Sequence, residues 1–289
     1  MEKIQVLRRP RILVPALILL ACAFLSSQTP DTSAQQQGEV KQAEAKKMGK
    51  GAEPSAETIA ETVVFVYGSR PVLDQVRRTG VERGRVSRTT PEGAVEEISY
   101  ERSFKRGETS EKDKVRLDQR KPTVEYSLIY TEGRVLGVIR GTSFTPRQEE
   151  VSEFHSQRRH GLETLLRYKE NGAKLTYSGK DKQRDIEMWM LDLEDKDKNR
   201  TRYFISTKTG RVLWLEYDAA AVEGEKPVKF KRTFHDYRVV QGTQVPYRTV
   251  LYANDRKLEE SQVMTVTFGV KLDDERFQNS DTTANSGGY

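Results

Sequence analysis

The residues whose types suit chemistry are few: three histidines, one cysteine and several acidic runs. His155 and His160 lie five apart on a segment with helical signals, which puts them on different faces, and His235 falls on a distant strand. Zinc sites want ligands at i and i+4, or a cluster backed by carboxylates. The spacing therefore predicts solvated or capping histidines and no metal. Glu149-Glu150, Asp192 with Glu194-Asp195, and Asp273-Asp274-Glu275 would form an acid–base pair if brought together. They sit at a helix start, a strand end and a C-terminal turn, where charge is favourable or simply solvated. Cys22 lies near the N-terminus, so the rest of the chain holds no thiolate nucleophile, thiol ligand or disulfide. No Gly-x-Ser-x-Gly elbow, phosphate-binding glycine loop, His-Glu-x-x-His or dinucleotide fingerprint occurs. The expectation is a protein that is not an enzyme and uses no cofactor.

A second set of residues points to binding. Tyr126, Leu128, Tyr130, Trp189, Tyr203, Trp214 and Phe268 lie on strands with apolar alternation, with Phe204 beside Tyr203. Such rows are either ordinary sheet core or the wall of an apolar cavity. The cavity reading has a physical motive, because an acyl chain in water costs about 0.8 kcal/mol per methylene unless it is sheltered.

The pattern around these residues defines the elements that would hold them. Ser55 to Tyr67 places Ile59, Val63, Val66 and Tyr67 on one helical face, with Ser55 as N-cap and Gly68 as C-terminal cap. Strands are predicted over 81–89, 94–104, 115–120, 124–130 and 135–140, the last two joined at Glu132-Gly133. Thr145-Pro146-Arg147-Gln148 carries the signals of a helix start, with Thr145 as N-cap, and the helix should run to His160. A short second helix follows through Leu162, Leu165 and Leu166 to Asn171-Gly172. From Lys174 the chain reads as strand: 186–193, the hairpin 201–206/211–217, and long strands over 228–240, 243–253 and 257–272. Pro246 argues that its strand is at an edge or begins there. Long antiparallel strands with few helices predict an α+β fold, mainly antiparallel β, in which an unclosed half-barrel carries helices over its concave face.

The ends differ in composition. Lys3, Arg8, Arg9 and Arg11 precede a 14-residue apolar run, Ile12 to Leu25, that suits a signal peptide and falls short of a membrane span. Leu19-Leu20-Ala21-Cys22 offers a lipobox, with Cys22 as lipidation site; Thr32-Ser33-Ala34 before Gln35 offers an ordinary cleavage site. These readings predict an exported, periplasmic protein, tethered to the membrane if Cys22 is acylated. Residues 35–53 form a polar linker and 278–289 a Ser/Thr/Asn/Gly tail, both predicted disordered, leaving 54–277 as the folded domain. The net charge of +6 is dispersed over the strands, with no basic block interleaved with exposed aromatics, so nucleic acid is not an expected partner.

Several segments resemble the LolA-like family of outer-membrane lipoprotein-sorting proteins. They are the opening helix ending at Tyr67-Gly68, the run Tyr177-Ser178-Gly179-Lys180 before strand 186–193, and Tyr203-Phe204-Ile205-Ser206-Thr207-Lys208-Thr209-Gly210. Phe234-His235-Asp236-Tyr237-Arg238, Gln241-Gly242-Thr243-Gln244-Val245-Pro246 and the closing Val270 to Phe277 complete the match, which spans most of 60–277. The resemblance implies an unclosed barrel with a helical lid and an apolar cavity for acyl chains. The charged segment Tyr100 to Arg120 departs from the compact sorting proteins. Lipid or acylated protein is the implied partner. The alternative is an envelope interaction module whose core is filled and which binds another envelope protein through its outer face or sheet edge.

Overall fold

The computed structural model describes residues 53–90, 92–219 and 227–278. The leader with Cys22, the polar segment up to Ala52 and the tail beyond Gln278 lie outside those residues. Two helices, α1 (Ala56–Val66) and α2 (Arg70–Val76), precede β1 (Thr79–Thr89), β2 (Val95–Lys105), β3 (Lys114–Arg120), β4 (Glu125–Thr131), β5 (Arg134–Ile139) and β6 (Thr142–Phe144). Helices α3 (Gln148–Arg159) and α4 (Leu162–Leu166) then lead to β7 (Lys174–Gln183), β8 (Ile186–Glu194), β9 (Arg200–Ser206), β10 (Val212–Asp218), β11 (Lys229–Val240), β12 (Thr243–Ala253) and β13 (Arg256–Phe268).

Local chemistry explains the meander. The tight turns Glu132-Gly133, Arg140-Gly141, Arg184-Asp185, Gln241-Gly242 and Asn254-Asp255 all have positive φ at both residues. That geometry matches the twist of flanking antiparallel strands and makes sequential strands neighbours. The result is one thirteen-stranded antiparallel sheet in the order β6-β5-β4-β3-β2-β1-β13-β12-β11-β10-β9-β8-β7. Two meanders, β1–β6 and β7–β13, are joined where β1 pairs with β13, from Gly80↔Phe268 to Arg88↔Glu259, with an irregularity at Arg83/Gly84. Edges β6 and β7 stay unpaired with each other, so the sheet is an unclosed half-barrel. The segment between them must cross from one edge to the other, and it carries α3 and α4 over the concave face.

Some elements differ from their sequence expectation. Helix α3 begins at Gln148 with Arg147 as N-cap and no side-chain cap bond, so Thr145 does not cap it. Helix α2 was not expected; its signal is Pro71 in the first turn, after Ser69. Pro246 sits on an interior strand, opposite Tyr237 of β11, but pairing of β12 with β13 starts only at Arg248. The missing N–H therefore falls where β12 has one neighbour. Strand β13 stops at Phe268 rather than 272, and a 3-10 turn, Asp274–Phe277, buries Phe277.

The main core packs α1 and α4 against β8–β11 through Ile59, Val63, Leu165, Leu191, Ile205 and Leu215. Inside it, three groups close a ring of hydrogen bonds. The Tyr237 hydroxyl donates to the Val212 carbonyl (2.6 Å) and the Val212 N–H donates to Tyr67 Oη (3.3 Å). The Tyr67 hydroxyl is left to donate to Tyr237 Oη at 2.7 Å. This ring ties α1 to β10 and β11 without an orphaned polar atom. Tyr67→Phe leaves the buried Val212 N–H without an acceptor, so it should lower stability by about 1–3 kcal/mol in urea unfolding of the full chain, with an unchanged m-value.

Candidate functional site

A cavity of about 320 Å³ lies between the concave face of the sheet and α3–α4. The alternation of each strand decides what faces it. Val86 of β1, Ile98 of β2, Leu117 of β3, Leu251 of β12 and Val263 of β13 give it an apolar floor, with Phe154 and Leu162 above. The same rows also turn charged side chains inward. Glu82 and Arg88 of β1, Arg102 of β2, Arg232 of β11 and Glu259 of β13 line the cavity, as do Arg77, Arg106 and Asp113 from connecting segments and Arg158, Glu163 and Arg167 from the helical crossing.

These charges form two groups. At one end, Glu163 holds both Arg77 and Arg106. Asp113 accepts from Arg167 Nη1 at 2.9 and 3.0 Å and pairs with Arg158 at 3.4 Å. Arg167 also bonds the Gly107 carbonyl (2.9 Å) and Glu170 (2.7 Å), and Arg102 pairs with Glu82 at 3.1 Å. Arg77 and Arg167 are only 9% and 4% exposed. Burial, then repulsion from Arg102, pushes the Arg77 guanidinium down to about 10. Burial, then repulsion from Arg77 and Arg167, pushes Arg106 down to about 9. Both remain cationic at neutral pH. At the other end, Arg88 is held by Glu153 (2.5 Å) and Glu259 (2.8 Å) together.

The seven aromatic and aliphatic residues singled out from the sequence lie outside this cavity wall. Tyr126, Leu128 and Tyr130 of β4 stand opposite the wall residues Gln119, Leu117 and Val115, one strand further out. Leu128 and Tyr130 pack beneath Phe154 of α3. Trp189 and Tyr203 belong to the main core, where the Tyr203 hydroxyl donates to the Gly161 carbonyl at 2.8 Å. Trp214 projects from the opposite face of the sheet, stacked on Phe204 at 4.5 Å between ring centres. Phe268 sits edge-on to the wall residue Phe104 at 6.3 Å, with the Arg77 guanidinium 5.1 Å above its ring. Strong apolar alternation thus marks the most tightly packed rows, and the cavity opens over the rows where charge interrupts it. The departing segment Tyr100 to Arg120 supplies Arg102, Phe104, Arg106, Asp113, Leu117 and Gln119 to the wall. The signal that finds them is inward charge in an alternating strand, as in Tyr100, Arg102 and Phe104 on one face of β2.

The histidines stay apart. His155 packs edge-on to Tyr130, and His235 bonds Thr233 at 2.8 Å. His160 is the buried hinge between α3 and α4. Its ring stacks on Tyr217 at 3.8 Å, its Nδ1 lies 2.7 Å from Thr201 Oγ1, and its carbonyl accepts from Arg232 at 3.4 Å.

No family model and no curated protein matches the chain. Solved structures do match its architecture. A DUF1329 family protein from Desulfovibrio piger superposes with a TM-score of 0.57 at 14% identity, covering 79% of this chain and 99% of that one. The LolA superfamily protein NE2245 from Nitrosomonas europaea superposes with a TM-score of 0.54 at 11% identity, covering 78% of this chain and 98% of that one. The chain has a LolA-like fold. At these identities the likeness concerns the backbone alone, so the charge pattern described above belongs to this LolA-like chain in its own right.

Burial, reinforced by Arg159 and Arg232 and opposed by Asp195, pushes the His160 imidazole down to about 3 from 6.5. Between those values the unfolded chain binds the proton that the folded chain refuses, so stability is full above pH 6.5 and falls as pH drops toward 3. Urea unfolding at about pH 7.5 and about pH 4.5 should show this loss, with a slope approaching ~1.4 kcal/mol per pH unit. His160→Gln should remove that part of the slope.

Proposed function

We propose that this chain is a non-enzymatic carrier or receptor of the cell envelope that shelters the acyl chain of a lipid or lipidated protein in the cavity beneath α3 and α4. The observation that carries this reading is the cavity itself: an unclosed sheet with an apolar floor, roofed by a helical crossing that one end of the sheet does not seal. Each methylene sheltered over that floor contributes about 0.8 kcal/mol before the cost of association.

A binding role is supported by how the charged lining is engaged: the carboxylates of Glu82, Asp113, Glu163 and Glu259 each sit against a guanidinium. The leader supports export to the periplasm, free if cleaved before Gln35 and membrane-tethered if Cys22 is acylated.

The test is direct. Organic extraction of the purified protein followed by mass spectrometry should release acyl lipid, and a fluorescent fatty acid should bind saturably. Val263→Trp or Leu251→Trp, which fills the cavity from its floor, should weaken that binding by about tenfold or more with an unchanged melting temperature. A lipid-free protein that takes up no probe and instead retains an envelope protein would favour the interaction-module reading.

A further inference from the structure

The cavity is unevenly charged along its length. Arg77, Arg102, Arg106, Arg158 and Arg167 gather at one end against Glu82, Asp113, Glu163 and, just outside the wall, Glu170, which leaves an excess of one positive charge. The far end has no such excess: Arg88 faces both Glu153 and Glu259, and Arg232, level with Leu251 and Glu259 by register, bonds the His160 carbonyl. Glu82 and Arg88 are six residues apart on β1, so the two ends lie about 20 Å from each other.

The positive end also holds donors with nothing to bond. The Nε–H groups of Arg77 and Arg102 are buried and have no acceptor. Arg77 is 9% exposed. Native structures satisfy nearly all such groups, and exceptions call for an explanation. Burial and repulsion between neighbours both act to discharge Arg77 and Arg106, and neither succeeds at neutral pH. Guanidiniums crowded at one apex with unspent donors match the oxygens of a phosphate or carboxylate, which a planar fork grips in two places.

We propose that the arginine end of the cavity is the seat of an anionic headgroup, of the phosphate class, on the amphiphile whose chain lies over Val86, Ile98, Leu117, Leu251 and Val263. This rests on the acyl-binding reading given above and adds to it an orientation and a selectivity. The headgroup docks beside Arg77 and Arg102, and the chain runs toward Arg88, whose paired carboxylates would repel an anion placed there.

The experiment uses the purified, delipidated full chain and displacement of a fluorescent fatty-acid probe by decyl phosphate, decyl maltoside and inorganic phosphate. Decyl phosphate should compete about tenfold or more better than the uncharged maltoside of the same chain length. Arg102→Met and Arg158→Met, chosen because both side chains are only partly buried, should shrink that ratio to about threefold or less while leaving the maltoside unaffected. Circular dichroism should show both variants folded. Equal competition by the two amphiphiles overturns the headgroup site and leaves the acyl cavity standing. Failure to bind the probe or either amphiphile overturns the acyl reading and this proposal together. Inorganic phosphate that competes as well as decyl phosphate supports the anion site and assigns it to a soluble anion in place of a lipid.

Discussion

The architecture depends on the pairing of β1 with β13, the first and last strands of the domain, at the centre of the sheet. Local turns are enough to fold each meander, because every other neighbour in the sheet is a neighbour in sequence or one hairpin away. Only this ladder joins residues near 80 to residues near 268. Its closure entropy is the largest of any strand pair in the chain. Once it forms, β6 and β7 are driven to opposite edges, and the chain between them runs across the concave face. The helical roof and the space beneath it are thus consequences of one strand pairing.

Within that space the balance of charge shapes the chemistry. Burying a guanidinium is costly unless it is paired and hydrogen-bonded. Arg167 meets both conditions, with Asp113, Glu170 and the Gly107 carbonyl around it. Arg77 is as deeply set and shares one carboxylate with Arg106. The cavity is therefore amphipathic, where a purely hydrocarbon interior was the sequence expectation. An unadorned hydrocarbon would suit only its floor.

Much of the fold was readable from residue order. Alternation placed most strands to within a few residues, Ser55 does cap α1 by accepting from the Thr58 N–H at 3.1 Å, and the turns at Glu132-Gly133 and Asn254-Asp255 fall where they were expected. The helical segments over the concave face also follow from the order of elements. The cavity wall was not readable, for a physical reason. Arg102 and Glu82 look like the solvated residues of a half-exposed strand, and only the pairing of β1 with β2 and the crossing of α4 turn them toward an enclosed space. Trp214 and Tyr203 illustrate the converse: both are buried aromatics on adjacent strands, yet the register puts them on opposite faces of the sheet. Helix α2 escaped notice because seven residues carry too little periodicity to stand out.

The two free edges of the sheet have a consequence for how the molecule meets others. An uncovered edge is a template for another chain's backbone unless something spoils it. Strand β6 is only three residues long. Strand β7 is longer, but a bulge between Tyr177 and Lys180 kinks it, and Lys174, Lys180 and Lys182 stand exposed along it. Both borders therefore carry features that discourage the docking of a further strand.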